Sequence, residues 1–254
     1  MKLRSLKNFT TLFTALILSI SGFSQNAVAL KNPSYKTSEV FNRMEDSVKK
    51  QFERLKLNWP PQSMYIRSFK YDKQLEVWVK GDSTDHYKLF KIYKICMQSG
   101  STGPKRMEGD YQVPEGFYYI NEFNPNSNYH LALGLNYPNA SDRILSDAQR
   151  PGNNIYIHGN CVSTGCIAIQ DEPIEELYII ATSVKIKGQE FIPVHVFPVR
   201  YNIKRSFEFL NTSIKNNPSL QLFNANIKAV FDYFELKKQL PILMVNRKGE
   251  YVLN

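Results

Sequence analysis

The sequence from 155 to 169 reads IYIHGNCVSTGCIAI, and it brings His158, Ser163 and Cys166 close together at the end of a predicted β-strand. A cysteine is a strong nucleophile only as the thiolate, and a nearby imidazole is the usual base that produces one. The glycine, serine and asparagine residues of this stretch favour turns, which predicts a loop carried by the strand. The pattern therefore predicts cysteine-based acyl transfer; the alternative is a structural cysteine beside a solvated histidine.

Alternating apolar and polar residues predict further strands on both sides of this stretch. From Met64 onward we expect them at 74–80, 86–95, 116–123, 129–133, 154–158 and 191–199. One helix interrupts them after Pro173, where Ile174, Leu177 and Ala181 are helically spaced. Short strands with a single inserted helix favour a β-sandwich or barrel core over a βαβ sheet.

Helices are predicted at both ends of this β region. Val40, Met44, Val48 and Phe52 fall on one helical face, and we expect that helix to be stopped by the prolines at 60–61. Near the other end, 207–214 and 220–236 are predicted as helices, followed by a short strand at 241–245. The predicted class is mainly β with helical additions, that is, α+β.

The first residues are typical of a secretory signal peptide. Lys2, Arg4 and Lys7 precede an apolar run at 12–23 and then small residues. Cleavage after Ser24 and cleavage after Ala29 both fit the pattern, and an uncleaved anchor is the alternative. We expect export to the periplasm, with a signal peptide at 1–29, a helical segment at 30–61, a catalytic domain at 62–200 and a helical extension at 201–254.

Charge and cysteine count narrow the class of protein further. The formal charge is +9, of which the leader supplies three cations and no anion, so +6 remains on dispersed lysines. A dispersed charge on an exported protein argues against nucleic acid and fits an anionic polymer such as bacterial cell wall. Three cysteines exclude a disulfide-rich scaffold and leave at least one thiol unpaired.

The motifs around the reactive loop resemble the L,D-transpeptidase (YkuD-type) catalytic domain, and within it the YafK-like branch. The loop itself carries His-Gly at 158–159 and Ser-x-Gly-Cys-Ile at 163–167. Matching motifs elsewhere are Gly103-Pro-Lys105, Glu108-Gly-Asp110, Pro114-Glu-Gly116, Tyr129-His-Leu131, Tyr137-Pro-Asn139 and the run 192–198. The resemblance covers roughly 64–200 and implies an enzyme that acts on peptidoglycan stem peptides without a cofactor or metal.

The resemblance also implies a role for each residue of the loop. Cys166 would be the nucleophile, His158 the base, and the Gly159 carbonyl the group that orients the imidazole. The amides of Gly165 and Cys166 would form the oxyanion hole, and Ser163 would stabilise the loop through hydrogen bonds.

Further positions are expected to support or line the site. Thr164 stands where many members of the family have histidine, and Ala168 stands where many have arginine. His130, Arg143 and Tyr137 are candidates for the substrate groove. We expect an ion pair between neighbouring Asp142 and Arg143 that braces the active-site side.

Cys161 admits two interpretations besides a bystander thiol. A zinc site with His158 and Cys166 lacks a fourth ligand and matches no usual spacing. A disulfide between Cys96 and Cys161 would spare Cys166 and fits the odd cysteine count. We therefore expect no metal.

Three functions stay open on the sequence alone. The first is a transpeptidase, in which an amine of the wall or of an outer-membrane lipoprotein takes the acyl group from Cys166. The second is a hydrolase of the same fold that uses water and could release a wall-attached lipoprotein. The third is a non-catalytic wall-binding module, for which an activated thiol has no use. In each case we expect a monomer.

Overall fold

A computed structural model describes residues 34–82 and 85–254. At its centre lies one mixed eight-stranded sheet, curved as a half-barrel. Its strands in chain order are β1 (Ser63–Phe69), β2 (Gln74–Lys80), β3 (Lys88–Lys94), β4 (Gly116–Asn124), β5 (Ala132–Leu135), β6 (Tyr156–His158), β7 (Ile167–Ala168) and β8 (Ile192–Phe197). The α+β class with a β core is confirmed, and of the two predicted alternatives the core is the barrel-like one.

The spatial order of the strands is β3-β2-β1-β8-β4-β5-β6-β7. Neighbours are antiparallel except β1 with β8 and β6 with β7, which are parallel. A parallel pair cannot be joined by a tight hairpin turn, because the chain must return to the starting end of the first strand. The segment 159–166 makes this return between β6 and β7, and it is the reactive loop of the sequence.

Five helices are described: α1 (Tyr35–Arg54), α2 (Ala140–Leu145), α3 (Asp171–Ile186), α4 (Lys204–Ile214) and α5 (Pro218–Lys237). The prediction that the prolines at 60–61 end α1 is wrong. The backbone leaves the helical region at Lys56, where φ is 54°, and the amide of Leu57 turns back to the Phe52 carbonyl over 2.9 Å.

The main core lies between the sheet and α3. Ile157 and Ile167 from the sheet and Ile174, Leu177 and Val184 from the helix belong to one buried cluster. Each such side chain contributes about 1.5–3 kcal/mol when fully buried. Because successive strand residues point to opposite faces, this burial fixes which residues of β6 and β7 face away from α3.

The C-terminal helices cover a different part of the sheet. Arg67 of β1 is 1% exposed and forms ion pairs with Glu76 of β2 at 2.7 Å and Glu235 of α5 at 2.6 Å. Its guanidinium also lies over the rings of Phe231 and Phe234. Removing one partner of a buried pair costs about 3–5 kcal/mol, so this contact ties α5 firmly to the sheet.

Two strands differ from the sequence prediction. The strand expected at 129–133 begins only at Ala132, because His130 adopts a left-handed conformation with φ 73° that a strand does not accommodate. A small hairpin of β9 (Leu243–Val245) and β10 (Tyr251–Leu253) closes the chain, and β10 was not predicted. The predicted signal peptide, 1–29, lies outside the described residues. Among the helices that are described, none combines the length and apolar character needed to cross a bilayer.

Candidate active site

The register of β6 against β7 places Cys166 and His158 on the same face of the sheet. Ile157 pairs with Ile167 and His158 with Ala168. Because the two isoleucines point into the core, the flanking His158 and Cys166 point to the opposite face. His158 ends β6 and Cys166 immediately precedes β7, so the imidazole and the thiol lie at neighbouring positions of this parallel pair.

His158 is held in the tautomer that a base requires. Its Nδ1–H donates to the carbonyl oxygen of Gly159 over 2.6 Å, which leaves the lone pair on Nε2. The ring is 2% exposed and lies 4.8 Å, centroid to centroid, from the ring of Tyr129. Burial lowers the pKa of His158, and the bond to Gly159 opposes this shift, so the imidazole is neutral at neutral pH.

Gly159 has no room for a side chain. A Cβ atom there would lie 2.6 Å from Asp171 Oδ1 and 2.8 Å from the Tyr129 carbonyl oxygen. The same Asp171 oxygen accepts the amide of Asn160 over 2.6 Å. The first turn of α3 therefore holds the start of the reactive loop, and the missing side chain lets the chain pass close enough for that contact.

Cys166 carries the one free thiol of the protein, since all three cysteines are described and the other two are bonded to each other. The side chain is partly exposed, and Sγ lies 3.6 Å from the carbonyl oxygen of Asn154. Burial raises the pKa of Cys166, while the backbone N–H of Tyr156 and the charge of Lys105 oppose the shift. The resting pair is therefore a neutral thiol beside a neutral imidazole.

The turn before Cys166 is braced by Ser163. Its hydroxyl donates to the carbonyl oxygen of Cys166 over 2.7 Å and accepts the amide of Gly165 over 3.2 Å. The expectation that the Gly165 amide would be free to bind a substrate oxygen is therefore corrected: it is already engaged, which leaves the Cys166 amide as the candidate donor. Gly165 has φ 131°, a conformation that L side chains rarely adopt, and neighbouring Thr164 is exposed.

The predicted disulfide between Cys96 and Cys161 is confirmed, with the two Cα atoms 5.7 Å apart. The amide of Cys96 also donates to the carbonyl of Ala168 over 2.9 Å. The segment at 96–97 therefore runs along the free edge of β7, and the bridge fastens the reactive loop to it. Within the described part of the chain, no group of three or more His, Cys, Asp or Glu side chains is arranged to hold a metal ion.

The three residues expected in the substrate groove lie at different places. His130 Nε2 contacts Glu175 Oε1 at 2.6 Å, within a network that also binds Arg43 and so joins α1 to α3. Tyr137 and Arg143 line one open cavity of about 420 Å³ on the face of β4, although the Tyr137 hydroxyl is committed to the Pro151 carbonyl over 2.7 Å. His130 is thus a network residue, while Arg143 is exposed to an incoming ligand.

The predicted ion pair between Asp142 and Arg143 is wrong. Asp142 is buried, accepts the Tyr118 hydroxyl over 3.0 Å and pairs with Arg106 at 3.4 Å. It also completes the N-terminal cap of α2 with Asn139. Adjacent residues of a helix point in different directions, so a buried Asp142 leaves Arg143 at the surface.

Sequence reasoning gave no role to three residues that the fold brings to the site: Tyr129, Asp171 and Lys105. Tyr129 and Lys105 lie within motifs that carried the family resemblance, which was the available signal. Asp171 stands at the first position of α3, where acidic residues are common for helix-dipole reasons alone. Their relation to the reactive loop depends on tertiary packing, which spacing along the chain does not report.

Comparison with known proteins agrees with this geometry. The sequence pattern of the YkuD L,D-transpeptidase catalytic domain matches residues 63–196, more than half of the chain. The chain belongs to the L,D-transpeptidase catalytic domain family. A relative in Escherichia coli (strain K12), named "Putative L,D-transpeptidase YafK", is 34% identical over 193 residues, which cover 75% of this chain and 74% of the relative.

Two solved structures resemble the chain at lower sequence identity. The helical cell shape determining protein Pgp2 from Campylobacter jejuni is 19% identical, with a TM-score of 0.44 over 72% of this chain and 73% of that chain. Its K307A mutant gives 21% identity and a TM-score of 0.43 over 68% of this chain and 59% of that chain, so less than two thirds of the latter is spanned. The family assignment rests on the sequence matches.

Proposed function

We propose that this L,D-transpeptidase domain transfers acyl groups of peptidoglycan stem peptides through a thioester on Cys166. The observation that carries the proposal is the pairing of one free thiol with a buried imidazole on the same sheet face, with Nδ1 fixed by the Gly159 carbonyl. A wall-binding module would need neither an exposed thiol nor a fixed tautomer.

In the first half-reaction, Nε2 of His158 takes the proton of the Cys166 thiol as the sulfur attacks the substrate carbonyl carbon. A carbon–sulfur bond forms, the peptide carbon–nitrogen bond breaks, and the leaving amine takes the proton from the imidazolium. The neutral resting pair fits this order, because the proton moves only as the bond forms. General-base assistance of this kind contributes about 10²–10⁴ in rate.

In the second half-reaction an acceptor attacks the thioester and gives its proton to His158. The carbon–sulfur bond breaks and the Cys166 thiol is restored. An amine acceptor, on a neighbouring stem peptide or on an outer-membrane lipoprotein, gives transpeptidation; water gives hydrolysis. We propose transpeptidation, since the family is named for it, and treat hydrolysis as an outcome of the test.

The test compares wild type with Cys166→Ala on purified sacculi, followed by mass spectrometry of the released muropeptides. New crosslinks with wild type alone support the transpeptidase, and loss of existing linkages with wild type alone supports the hydrolase instead. Identical muropeptide profiles from both proteins would defeat the enzyme proposal. Thermal unfolding of the variant serves as the control that the fold is intact.

We also propose that the protein acts outside the cytoplasm. The basic and apolar pattern of residues 1–29 supports export, and the Cys96–Cys161 bridge fits an oxidising compartment. Fractionation of cells that express the full chain tests this. Retention in the cytoplasm, with Cys96 and Cys161 reduced, would contradict it.

A further inference from the structure

Lys105 is a buried cation in segment 103–115, which packs against the loop that carries Cys166. The residue is 5% exposed, and its ammonium donates to the Asp110 carboxylate at 2.5 Å and to the Met107 carbonyl at 2.8 Å. An ammonium has three N–H donors, so one remains beyond these two bonds. A lysine is rarely buried to this extent unless it is paired, and here Asp110 is the partner.

Lys105 and Cys166 pack against the same segment of the chain. The segment 150–155 runs between them: a Cβ atom at Gly152 would lie 2.7 Å from Lys105 Cε, and the Asn154 carbonyl lies 3.6 Å from Cys166 Sγ. Segment 103–115 also touches the residue before Cys166, because a Cβ at Gly165 would lie 3.3 Å from the backbone oxygen of Gln112. The Lys105 segment and the nucleophile thus share one interface.

Asp110 fixes the position of this charge. Its two carboxylate oxygens accept the amides of Arg106, Met107 and Gln112 over 2.8–3.1 Å, besides the ammonium of Lys105. The carboxylate is thus anchored to backbone, and Lys105 cannot move without breaking that cage.

The titratable groups that face Cys166 are few. From β6 they are His158, which is neutral, and Tyr156, whose hydroxyl donates to Glu122 over 2.9 Å. From segment 103–115 the group is Lys105, which is paired with Asp110. The charge of Lys105 opposes the rise in the pKa of Cys166 that burial causes, and both side chains pack against segment 152–154.

We propose that Lys105 is a positioning residue that stabilises the Cys166 thiolate as it forms, and that Asp110 sets the strength of this effect by holding and partly neutralising the charge. A fixed cation in a partly buried site favours the anionic form of its neighbour without itself taking part in proton transfer. The proposal extends the proposed acyl transfer, but it concerns the thiol alone and is tested without any wall substrate.

The test measures the rate of Cys166 alkylation by iodoacetamide as a function of pH, without reductant. In this reaction the thiolate forms a carbon–sulfur bond and displaces iodide, and the thiol proton goes to solvent. Since Cys96 and Cys161 are bridged, intact mass spectrometry reports Cys166 alone. For Lys105→Met we expect the midpoint of the pH profile to rise and the rate at neutral pH to fall about tenfold. Lys105→Arg should restore most of the rate.

Asp110→Asn tests the direction of the effect, because it should move the midpoint of the alkylation profile opposite to Lys105→Met. The asparagine oxygen can still accept the ammonium and the Gln112 amide, and the neutralising charge is gone. Its NH2 group replaces the oxygen that accepted the amides of Arg106 and Met107, so thermal unfolding of this variant is measured beside the pH profile. We expect the midpoint to fall and the neutral-pH rate to rise about threefold. A purely structural role for the pair predicts instead that both variants shift the profile in the same direction, because both break the same ion pair.

Lys70→Met is the matched control. Lys70 is also buried and forms a salt bridge to Glu115 at 3.0 Å. It donates to the carbonyls of Gly103 and Val113 in the same segment, 103–115. We expect this variant to unfold at lower temperature while its alkylation profile keeps the wild-type midpoint. An unchanged midpoint in folded Lys105→Met, or equal shifts in Lys105→Met and Lys70→Met, would overturn the proposal. Neither result would bear on whether Cys166 forms a thioester with wall peptides.

Discussion

The disulfide between Cys96 and Cys161 is expected to support both the stability of the protein and the reactivity of Cys166. The two residues are 65 positions apart, so the bridge closes a large loop that contains β4, β5 and β6. Loop-closure entropy for a ring of that size gives about 4 kcal/mol, and native bridges commonly deliver about 2–4 kcal/mol. We expect the double variant Cys96→Ser/Cys161→Ser to lose about 2–4 kcal/mol of unfolding free energy.

The assay is equilibrium unfolding in urea, followed by intrinsic fluorescence. With a slope of about 2 kcal/mol per molar urea, the midpoint should fall by about 1–2 M. Treatment of wild type with dithiothreitol should give the same fall, and the double variant should not respond to the reductant. The bridge also ties the reactive loop to the segment beside β7, so the alkylation rate of Cys166 should change in the reduced protein.

Cys166→Ser serves as the control, because it removes a thiol that makes no bridge and should leave the midpoint close to wild type. An unchanged midpoint in the double variant would refute the reasoning. It would mean either that the bridge does not form in the folded protein or that the denatured state gains no freedom without it.

Two further predictions follow from the geometry around the base. Gly159→Ala places a Cβ 2.6 Å from Asp171 Oδ1 and 2.8 Å from the Tyr129 carbonyl. We expect the variant to lose about 1–3 kcal/mol of unfolding free energy, measured by thermal unfolding. We expect its acylation rate to fall by about 10², measured by single-turnover kinetics. Because burial lowers the pKa of His158, the acylation rate should stay level around neutral pH and fall only in acid, as His158 gains a proton. Because burial raises the pKa of Cys166, the rate of its alkylation by a small electrophile should keep rising above neutral pH.

Each of these two predictions has a contrary outcome. Gly188→Ala, at an open position with φ 111°, is strained but distant from the loop; if it lowers the acylation rate as much as Gly159→Ala does, the steric argument fails. An alkylation rate that is flat from about pH 5 to 8 would indicate a preformed thiolate–imidazolium pair and contradict the neutral resting state.

The reactive loop and its strand could be predicted from local sequence, because their signals are local. Alternation around Ile157 and Ile167 fixes which face of the sheet the flanking residues occupy, and this face carries His158 and Cys166. The odd cysteine count suggested the Cys96–Cys161 bridge as one of several possibilities, and the structure shows it. These features need no knowledge of what packs against them.

The errors share a tertiary origin. Asp142 was paired with its neighbour in sequence, whereas burial turns it toward Tyr118 and Arg106. The strand expected at 129–133 begins only at Ala132, after His130, whose backbone is left-handed and whose side chain contacts Glu175 of α3. Lys105 was seen only as part of a motif, because its closeness to the thiol depends on how two distant loops pack.

The most direct test of the central claim is the mass of the protein after brief incubation with a purified disaccharide-tetrapeptide. We predict a covalent adduct on the peptide that contains Cys166, released by neutral hydroxylamine as a thioester should be, and absent from Cys166→Ala. An unmodified wild-type mass under conditions where muropeptides are turned over, or an adduct that persists in Cys166→Ala, would contradict the account.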